Sequence, residues 1–150
     1  MANTYTQLYF HIVLGVDWRR NLIADEWKVD LYKYIAGIII KKNEKPMITN
    51  GVADHIHILL STKGNCNLSD LIRVIKCNSA KWINDQGFVK GKFKWQLGYG
   101  AFSVSQSQVK RVINYIKNQG NHHARKSFRK EYRELLDAYE VEYKEKYLFD

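Results

Sequence analysis

The sequence has few of the features that mark secreted, membrane-spanning or disordered proteins. Its two cysteines, Cys66 and Cys77, match neither a disulfide framework nor a metal-binding spacing, so we expect two reduced thiols. No apolar run approaches the ~18 residues of a transmembrane helix. The N-terminus lacks the basic and apolar stretches of a signal sequence, so a cytoplasmic location is expected. A hydrophobic fraction of 45% excludes a mostly disordered chain.

Acidic residues are scarce in the middle of the chain. The net charge is +9, and residues 63–117 carry ten basic side chains against two acidic ones, Asp70 and Asp85. Residues 125–150, in contrast, carry seven of each sign. The excess positive charge therefore belongs to the body of the fold and not to a tail. This distribution favours a polyphosphate partner, although a merely soluble basic protein would also have it.

The apolar periodicity predicts one domain, residues 1–150, of mixed strands and helices. Strands are expected at 5–16, 47–52, 54–61 and 92–104, and helices at 24–42 and 68–85, the second capped by Asn67 or Ser69. A capping box at 105–108 opens a third helix that Gly120 closes, and a charged helix follows at 124–147. This order predicts an α+β fold of the ferredoxin-like split-βαβ type. Its antiparallel sheet carries helices on one face, followed by a tyrosine-bearing helix and the charged helix.

His55 and His57 lie in an apolar run that predicts a strand. Alternate side chains of a strand share a face, so the two imidazoles point the same way with Cα atoms about 6.6 Å apart, while Ile56 and Ile58 point the other way. Two rings at this spacing can meet at one metal ion but fill only two of its positions. The pattern is weak by itself, because two half-buried histidines with hydrogen-bond partners would produce it too.

Tyr115 and Gln119 are four residues apart in the predicted third helix. At about 100° per residue, the core-facing stripe consists of Val109, Val112, Ile113 and Ile116, and Tyr115 and Gln119 are neighbours on its flank. A side chain in this position is held firmly and still reaches a groove. The alternative is a tyrosine that lies along the surface with its hydroxyl in water.

These residue types suit cleavage of a phosphodiester. A phenol has a pKa of about 10, so it is a poor nucleophile until its proton is removed or its target is polarised. A divalent ion polarises the scissile phosphate and aligns it for in-line attack. The product is a 5′-phosphotyrosine with a free 3′-OH, and rejoining then needs no nucleotide cofactor. Two imidazoles and the amide oxygen of Gln119, with open positions, suit Mg²⁺ or Mn²⁺.

Several segments together resemble the single-tyrosine HUH transposases of small bacterial insertion sequences, a group that includes the REP-associated tyrosine transposases. Asp54–His57 resembles the family's D-H-hydrophobic-H motif, and Tyr115 with Gln119 resembles its nucleophile and metal-ligand helix. Trp95–Ser105 resembles the W-Q-x-G-Y-x-x-F-S-V segment that leads into that helix, and Tyr9–Val13 resembles the opening strand. The resemblance covers roughly residues 5–120, the expected catalytic core.

The resemblance implies that His55, His57 and Gln119 bind the metal and that Tyr115 attacks the DNA. It also implies a homodimer in which the tyrosine helix of one subunit serves the histidines of the other. The substrate would be single-stranded DNA with hairpins at the ends of a mobile element. In the sequence, the predicted end of this helix at Gly120 has little to fix the helix against its own sheet. A loosely held helix would suit exchange between subunits.

Two segments depart from the family's pattern. A Thr-Lys-Tyr-Arg-like stretch usually follows the first strand, whereas Val16–Arg20 here includes an acidic residue while keeping Arg19 and Arg20. The region after Arg125 matches no motif. Its apolar stripe predicts packing on the body or on a partner subunit, in preference to a second tyrosine nucleophile. The stripe consists of Phe128, Tyr132, Leu135, Leu136, Tyr139 and Tyr143.

Basic residues on the second helix, in the following loop and after the first strand are candidates for contacts to DNA phosphates. They are Arg19, Arg20, Arg73, Lys76, Lys81, Lys90, Lys92 and Lys94. Trp95 and Tyr99 are candidates to stack on unpaired bases, but both equally suit the core.

The sequence favours a metal-dependent transposase that cleaves and rejoins single-stranded DNA. One alternative is a domesticated hairpin-binding protein without active transposition, which predicts a damaged motif, whereas all four chemical residues are present. Another is a small relaxase or replication-initiator-like nickase, although those usually carry their tyrosine inside larger chains. A metal enzyme with an unrelated substrate would not need the basic middle region.

Overall fold

Four strands form one antiparallel sheet in the computed structural model, which describes residues 3–149, with residues 122–124 described by their backbone alone. They are β1 (Leu8–Gly15), β2 (Lys45–Val52), β3 (His55–Thr62) and β4 (Gly100–Val104), in the order β2-β3-β1-β4. β1 is central and pairs with both β3 and β4. The order of strands and helices along the chain confirms the predicted ferredoxin-like α+β arrangement.

Two helices, α1 (Lys28–Lys41) and α2 (Leu68–Gln86), cover one face of this sheet. The main core lies between them and the alternate apolar residues of β1 and β3. Burying each of its aliphatic side chains is worth about 1.5–3 kcal/mol, and this layer is the largest apolar cluster of the described residues. The side chain of Asn67 accepts from the backbone N–H of Asp70, which identifies Asn67 and not Ser69 as the cap of α2.

Three shorter helices lie on the opposite face: α3 (Val109–Lys117), α4 (Gln119–Arg125) and α5 (Phe128–Ala138). α3 packs through its predicted stripe against Tyr9 and Leu59, and α5 packs against Val13 and Phe102. The apolar stripe of the C-terminal region is therefore packed on the body of the same chain. The C-terminal residues buried in the cluster with Val13 and Phe102 are Phe128, Tyr132, Leu136 and Leu148.

Two glycines allow α5 to approach the sheet closely. A Cβ on Gly15 would lie 2.8 Å from a ring carbon of Phe128, and a Cβ on Gly100 would lie 2.8 Å from a ring carbon of Tyr132. Atoms do not pack at such distances, so each larger residue would push the helix away from the sheet. These two positions at the ends of β1 and β4 set the height at which α5 lies.

Several element boundaries differ from the predictions. The first strand begins at Leu8 and not at residue 5, and α1 begins at Lys28 and not at residue 24. The predicted strand 92–104 pairs as a strand at Gly100–Val104, preceded by an isolated bridge between Trp95 and Val16. The predicted helix at 124–147 is interrupted, because α4 and α5 are separate and a 3-10 turn follows at Glu145–Tyr147. Within residues 3–149, no helix combines the length and the apolar composition needed to cross a bilayer.

The predicted ends of the tyrosine-bearing helix are also wrong. Ser105 caps no helical N–H with its side chain, and a 3-10 turn at Gln106–Gln108 leads into α3. α3 ends at Lys117, before Gly120. Nδ2 of Asn50 on β2 donates to the carbonyls of Ile116 (2.9 Å) and Lys117 (3.2 Å), which a helix end leaves without intrahelical partners. The end of α3, for which the sequence predicts little restraint, is thus tied to its own sheet.

Candidate functional site

His55 and His57 point from β3 toward the face that carries α3, α4 and α5. The strand alternation is as predicted, since Ile56 and Ile58 enter the core on the other face. Both histidines are buried, with exposed fractions of 1% and 0%, and their ring centroids are 5.1 Å apart. The two rings therefore form the floor of a site that is shielded from bulk water.

Tyr115 and Gln119 reach these histidines from two different helices. The ring of Tyr115, on α3, lies edge-on to His57 with centroids 5.6 Å apart. Gln119 is the first residue of α4, and its Oε1 lies 3.1 Å from Nε2 of His55. The expectation that Tyr115 and Gln119 share one helix is wrong, because α3 ends between them. The structure nevertheless brings both side chains to the histidine pair within one chain.

A carboxylate outside the predicted set of site residues, Glu131 of α5, lies between the two histidines. Its Oε1 is 3.1 Å from Nε2 of His55 and 2.8 Å from Nε2 of His57, and the residue is 3% exposed. The signal in the sequence is its position. Glu131 follows Phe128 by three residues and precedes Tyr132, so it is a charged residue inside the apolar stripe of a helix.

The remaining ring nitrogens of the two histidines have partners on the far side from Glu131. Nδ1 of His55 lies 2.7 Å from Oδ1 of Asp54, and Nδ1 of His57 lies 2.8 Å from Nε2 of His11. Phe128 stacks on His55 with centroids 4.1 Å apart. Burial lowers the pKa of His11 to about 3, so this ring is neutral. Both Nε2 atoms are consequently aimed at one common point.

The charges of the cluster depend on each other. Burial alone would lower the pKa of His55, but hydrogen bonds to Asp54 and Glu131 outweigh it and raise this pKa to about 9. Burial would raise the pKa of Glu131, yet the hydrogen bonds from His55 and His57 hold it well below its usual range. Burial and, next, the charge of Glu131 raise the pKa of Tyr115 far above that of a free phenol, so its hydroxyl is protonated at neutral pH.

This cluster has the composition of a divalent-cation site. His55, His57 and Glu131 place one nitrogen or oxygen each within 4.8 Å of one another. Oε1 of Gln119 adds a neutral oxygen on the same side, 3.1 Å from Nε2 of His55. Two nitrogens and two oxygens form a mixed donor set of the kind that Mn²⁺ and related ions accept. The residues present therefore fit an ion of this class.

The basic residues predicted to contact DNA lie on the surface, some of them with partners. Arg73 and Lys81 form exposed ion pairs along α2 with Asp70 (2.8 Å) and Asp85 (2.6 Å). A groove of about 500 Å³ runs between α2 and the segment before β4. Its basic lining residues are Lys76, Lys81, Lys92 and Lys94. Lys90 is exposed on the loop between these two segments.

The remaining candidates for DNA contact, which lie after β1 and before β4, differ in their exposure and in their partners. The guanidinium of Arg19 lies over the ring of Phe149 at 4.9 Å, and Arg20 is exposed. Trp95 is buried and donates from Nε1 to Oγ of Ser79 at 2.9 Å, so it belongs to the core. Tyr99 is 40% exposed. It is the candidate that faces solvent.

Comparisons with known proteins identify the family of the chain. Residues 4–119 match the protein family described as transposase IS200 like. The chain is 27% identical over 124 residues to the transposase for insertion sequence element IS200 of Salmonella typhimurium, covering 79% of this chain and 81% of that protein. It is also 27% identical over 119 residues to the ISDra2 transposase TnpA of Deinococcus radiodurans, covering 75% and 84%.

The fold is similar to a solved structure of a REP-associated tyrosine transposase bound to a REP hairpin. The TM-score is 0.61 at 14% sequence identity, covering 82% of this chain and 73% of that one. At this identity the similarity concerns the fold alone. The family match, in contrast, spans well over half of the sequence. The chain belongs to the IS200-like transposase family.

Proposed function

We propose that the chain is a DNA strand transferase that cleaves and rejoins single-stranded DNA at hairpin-marked ends through a 5′-phosphotyrosine. The observation that carries the proposal is the convergence of Tyr115, His55, His57 and Gln119 on one buried cluster in a member of a transposase family. Each of these side chains has the chemistry that such a reaction requires.

In this proposal the histidines bind a Mg²⁺ or Mn²⁺ ion through their Nε2 atoms, with Gln119 as the third ligand. Glu131 is an addition to the set predicted from the sequence, because its carboxylate touches both Nε2 atoms. A bound divalent ion would polarise the scissile phosphate and offset its charge. Asp54 and His11 hold the rings from behind, as groups next to metal-ligating histidines commonly do.

Tyr115 is the proposed nucleophile. Its phenol oxygen attacks the phosphorus, the bond from phosphorus to the 3′-oxygen breaks, and the strand leaves with a free 3′-OH. The phenol is protonated at rest, so its proton has to be accepted during the attack. Glu131 is a hydrogen-bond partner of this phenol, but its low pKa makes it a weak base, so Glu131 orients the phenol while the proton passes through solvent to the leaving 3′-oxygen. The reverse attack by a 3′-OH restores the tyrosine and joins the strands.

The DNA partner in this proposal is a hairpin with adjoining single strand. The basic groove beside α2 supplies several lysines for phosphates, and the exposed ring of Tyr99 is available to stack on an unpaired base. The related transposase solved with a REP hairpin supports this substrate class. Because phosphate contacts release counterions, DNA binding should weaken steeply as salt is raised.

A covalent-adduct assay tests the proposed function. The full chain is incubated with labelled single-stranded DNA taken from hairpin-forming sequences that flank its gene, with Mn²⁺, and resolved on a denaturing gel. We expect a labelled protein–DNA adduct and a shortened strand that a polymerase can extend from its 3′-OH. Hairpin-disrupted DNA and addition of EDTA are the controls. Tight hairpin binding with no adduct in Mn²⁺ would favour the hairpin-binding alternative, and an undiminished adduct in EDTA would refute the metal requirement.

A complementation test can determine whether Tyr115 in each active site comes from the same subunit as the histidines or from a partner subunit. The resemblance implies a homodimer with sites shared in trans, whereas the described chain supplies all of these residues in cis and Asn50 ties α3 to its own sheet. A His57→Ala protein is mixed with a Tyr115→Phe protein, each inactive alone. The single-chain geometry favours sites in cis, and the mixture should then stay inactive. Partial recovery would instead establish exchange in trans, and sedimentation at micromolar concentration tests the dimer itself.

A further inference from the structure

His11 of β1 is a buried histidine to which the proposed chemistry gives only a supporting contact behind His57. It is 1% exposed, and its Nε2 lies 2.8 Å from Nδ1 of His57 on the neighbouring strand. The rings of Phe102 and Tyr115 stand edge-on to it, each with centroids 6.1 Å away. The His11 ring is therefore packed among aromatic rings with its Nε2 against His57.

The direction of the hydrogen bond between these two rings decides what the opposite nitrogen of His57 can do. A neutral imidazole carries one N–H and one lone pair. If Nδ1 of His57 accepts from His11, Nε2 of His57 carries the hydrogen and donates to Glu131, 2.8 Å away. If Nδ1 of His57 donates to His11, Nε2 keeps its lone pair, which can bind a cation.

The two histidines of the pair differ in this respect. His55 has a carboxylate, Asp54, behind its Nδ1, and an ionised carboxylate only accepts. That partner keeps a hydrogen on Nδ1 of His55 in every state. His57 has a second imidazole behind it, which donates in one tautomer and accepts in the other. His57 is thus the member of the pair whose tautomer can change.

We propose that His11 is the positioning residue that sets the tautomer of His57, donating to its Nδ1 in the cation-free site and accepting from it when Nε2 binds the cation. This inference rests on the proposed metal site. In the change, Nε2 of His57 releases its proton to water, the shared proton moves from Nε2 of His11 to Nδ1 of His57, and Nδ1 of His11 takes up a proton from water. The pair carries two ring protons before and after.

Two substitutions of His11, whose new side chains have similar lengths, separate the effect of its hydrogen bond from the effect of its packing. An amide in His11→Gln can still donate to Nδ1 of His57 or accept from it, whereas the thioether in His11→Met has no N–H. Calorimetric titration of the full chain with Mn²⁺ should show about a 10- to 100-fold loss of affinity for His11→Met, the range usual for groups behind metal ligands, and a much smaller loss for His11→Gln. Equal affinities in the two variants would overturn the inference.

Nitrogen NMR on the wild-type protein supplies a test that does not depend on any variant. In ¹⁵N-histidine-labelled protein, long-range couplings report which ring nitrogen carries hydrogen. Titration with diamagnetic Mg²⁺ should move the hydrogen of His57 from Nε2 to Nδ1 and that of His11 from Nε2 to Nδ1. If the hydrogen of His57 moves to Nδ1 while that of His11 stays on Nε2, the inference is overturned. Unchanged Mn²⁺ affinity in His57→Ala would instead refute the metal site on which it rests.

Discussion

Tyr115→Phe should lose the covalent protein–DNA adduct while keeping the fold and the affinity for hairpin DNA. The substitution removes one oxygen, the atom that would bond to phosphorus, and leaves the ring that packs beside His57. Strand cleavage should fall by at least about 10⁴-fold, as when other enzymes lose a nucleophile. Loss of the hydroxyl should change the free energy of unfolding by no more than about 1.5 kcal/mol. The measurement is the denaturing-gel assay with Mn²⁺, beside a thermal melt of each protein.

The matched controls for this prediction are the tyrosines of the C-terminal region. Tyr132→Phe and Tyr139→Phe alter phenols that pack near the same face of the sheet. Both proteins should form the adduct at close to the wild-type rate. An adduct that persists in Tyr115→Phe and disappears in one of these two would reassign the nucleophile.

His57→Ala should remove divalent-ion binding and, with it, cleavage. His57 is fully buried and its Nε2 faces Glu131, so its imidazole lies at the centre of the cluster and away from bulk water. Loss of a residue that only hydrogen-bonds to a metal ligand typically lowers metal affinity by about 10- to 100-fold. Loss of the ligand itself should lower Mn²⁺ affinity by more than this. Hairpin affinity should stay within a few-fold, because it derives mainly from phosphate contacts elsewhere. Calorimetry with Mn²⁺ and a DNA-binding titration measure the two effects separately, and a thermal melt verifies folding.

Glu131→Gln extends the same titration to the carboxylate. It removes one negative charge from the centre of the cluster and keeps the shape of the side chain, so Mn²⁺ affinity should drop. Glu134→Gln is the control on the same helix, since Glu134 instead pairs with Lys126 near the surface. Equal Mn²⁺ affinities in these two variants would show that Glu131 contributes nothing to the ion site.

The sequence is most informative where one repeating pattern determines a position. The period of two in β3 is enough to place His55 and His57 on one face, and the apolar period in α3 is enough to place its buried stripe. Capping and turn residues do not predict the ends of α3 correctly, because contacts with distant parts of the chain determine where it stops. Asn50 closes α3 from another strand, so neither the turn residues nor the glycine near the predicted end reveals where the helix stops.

Glu131 and His11 cannot be placed from the sequence for a related reason. Glu131 meets residues more than seventy positions away in the chain, and such a pairing depends on how high α5 lies above the sheet. That height depends in turn on two glycines whose role exists only in three dimensions. The sequence offers partial signals for both: a charge inside an apolar stripe, and a histidine at an alternating position of β1.

In the proposed function, the position of α5 has a consequence for the distance over which this protein would attract DNA. Its surface charge is positive and acts on a strand across about 8 Å of physiological salt solution. At the centre of the site, however, a phosphate would meet the buried carboxylate of Glu131, which has the same sign and is partly offset by the protonated ring of His55 beside it. Two such charges 4 Å apart repel by about 4 kcal/mol at an effective dielectric constant of about 20. In the proposed function, DNA would therefore be attracted to the protein at long range, and a bound cation would offset the repulsion that remains beside the tyrosine.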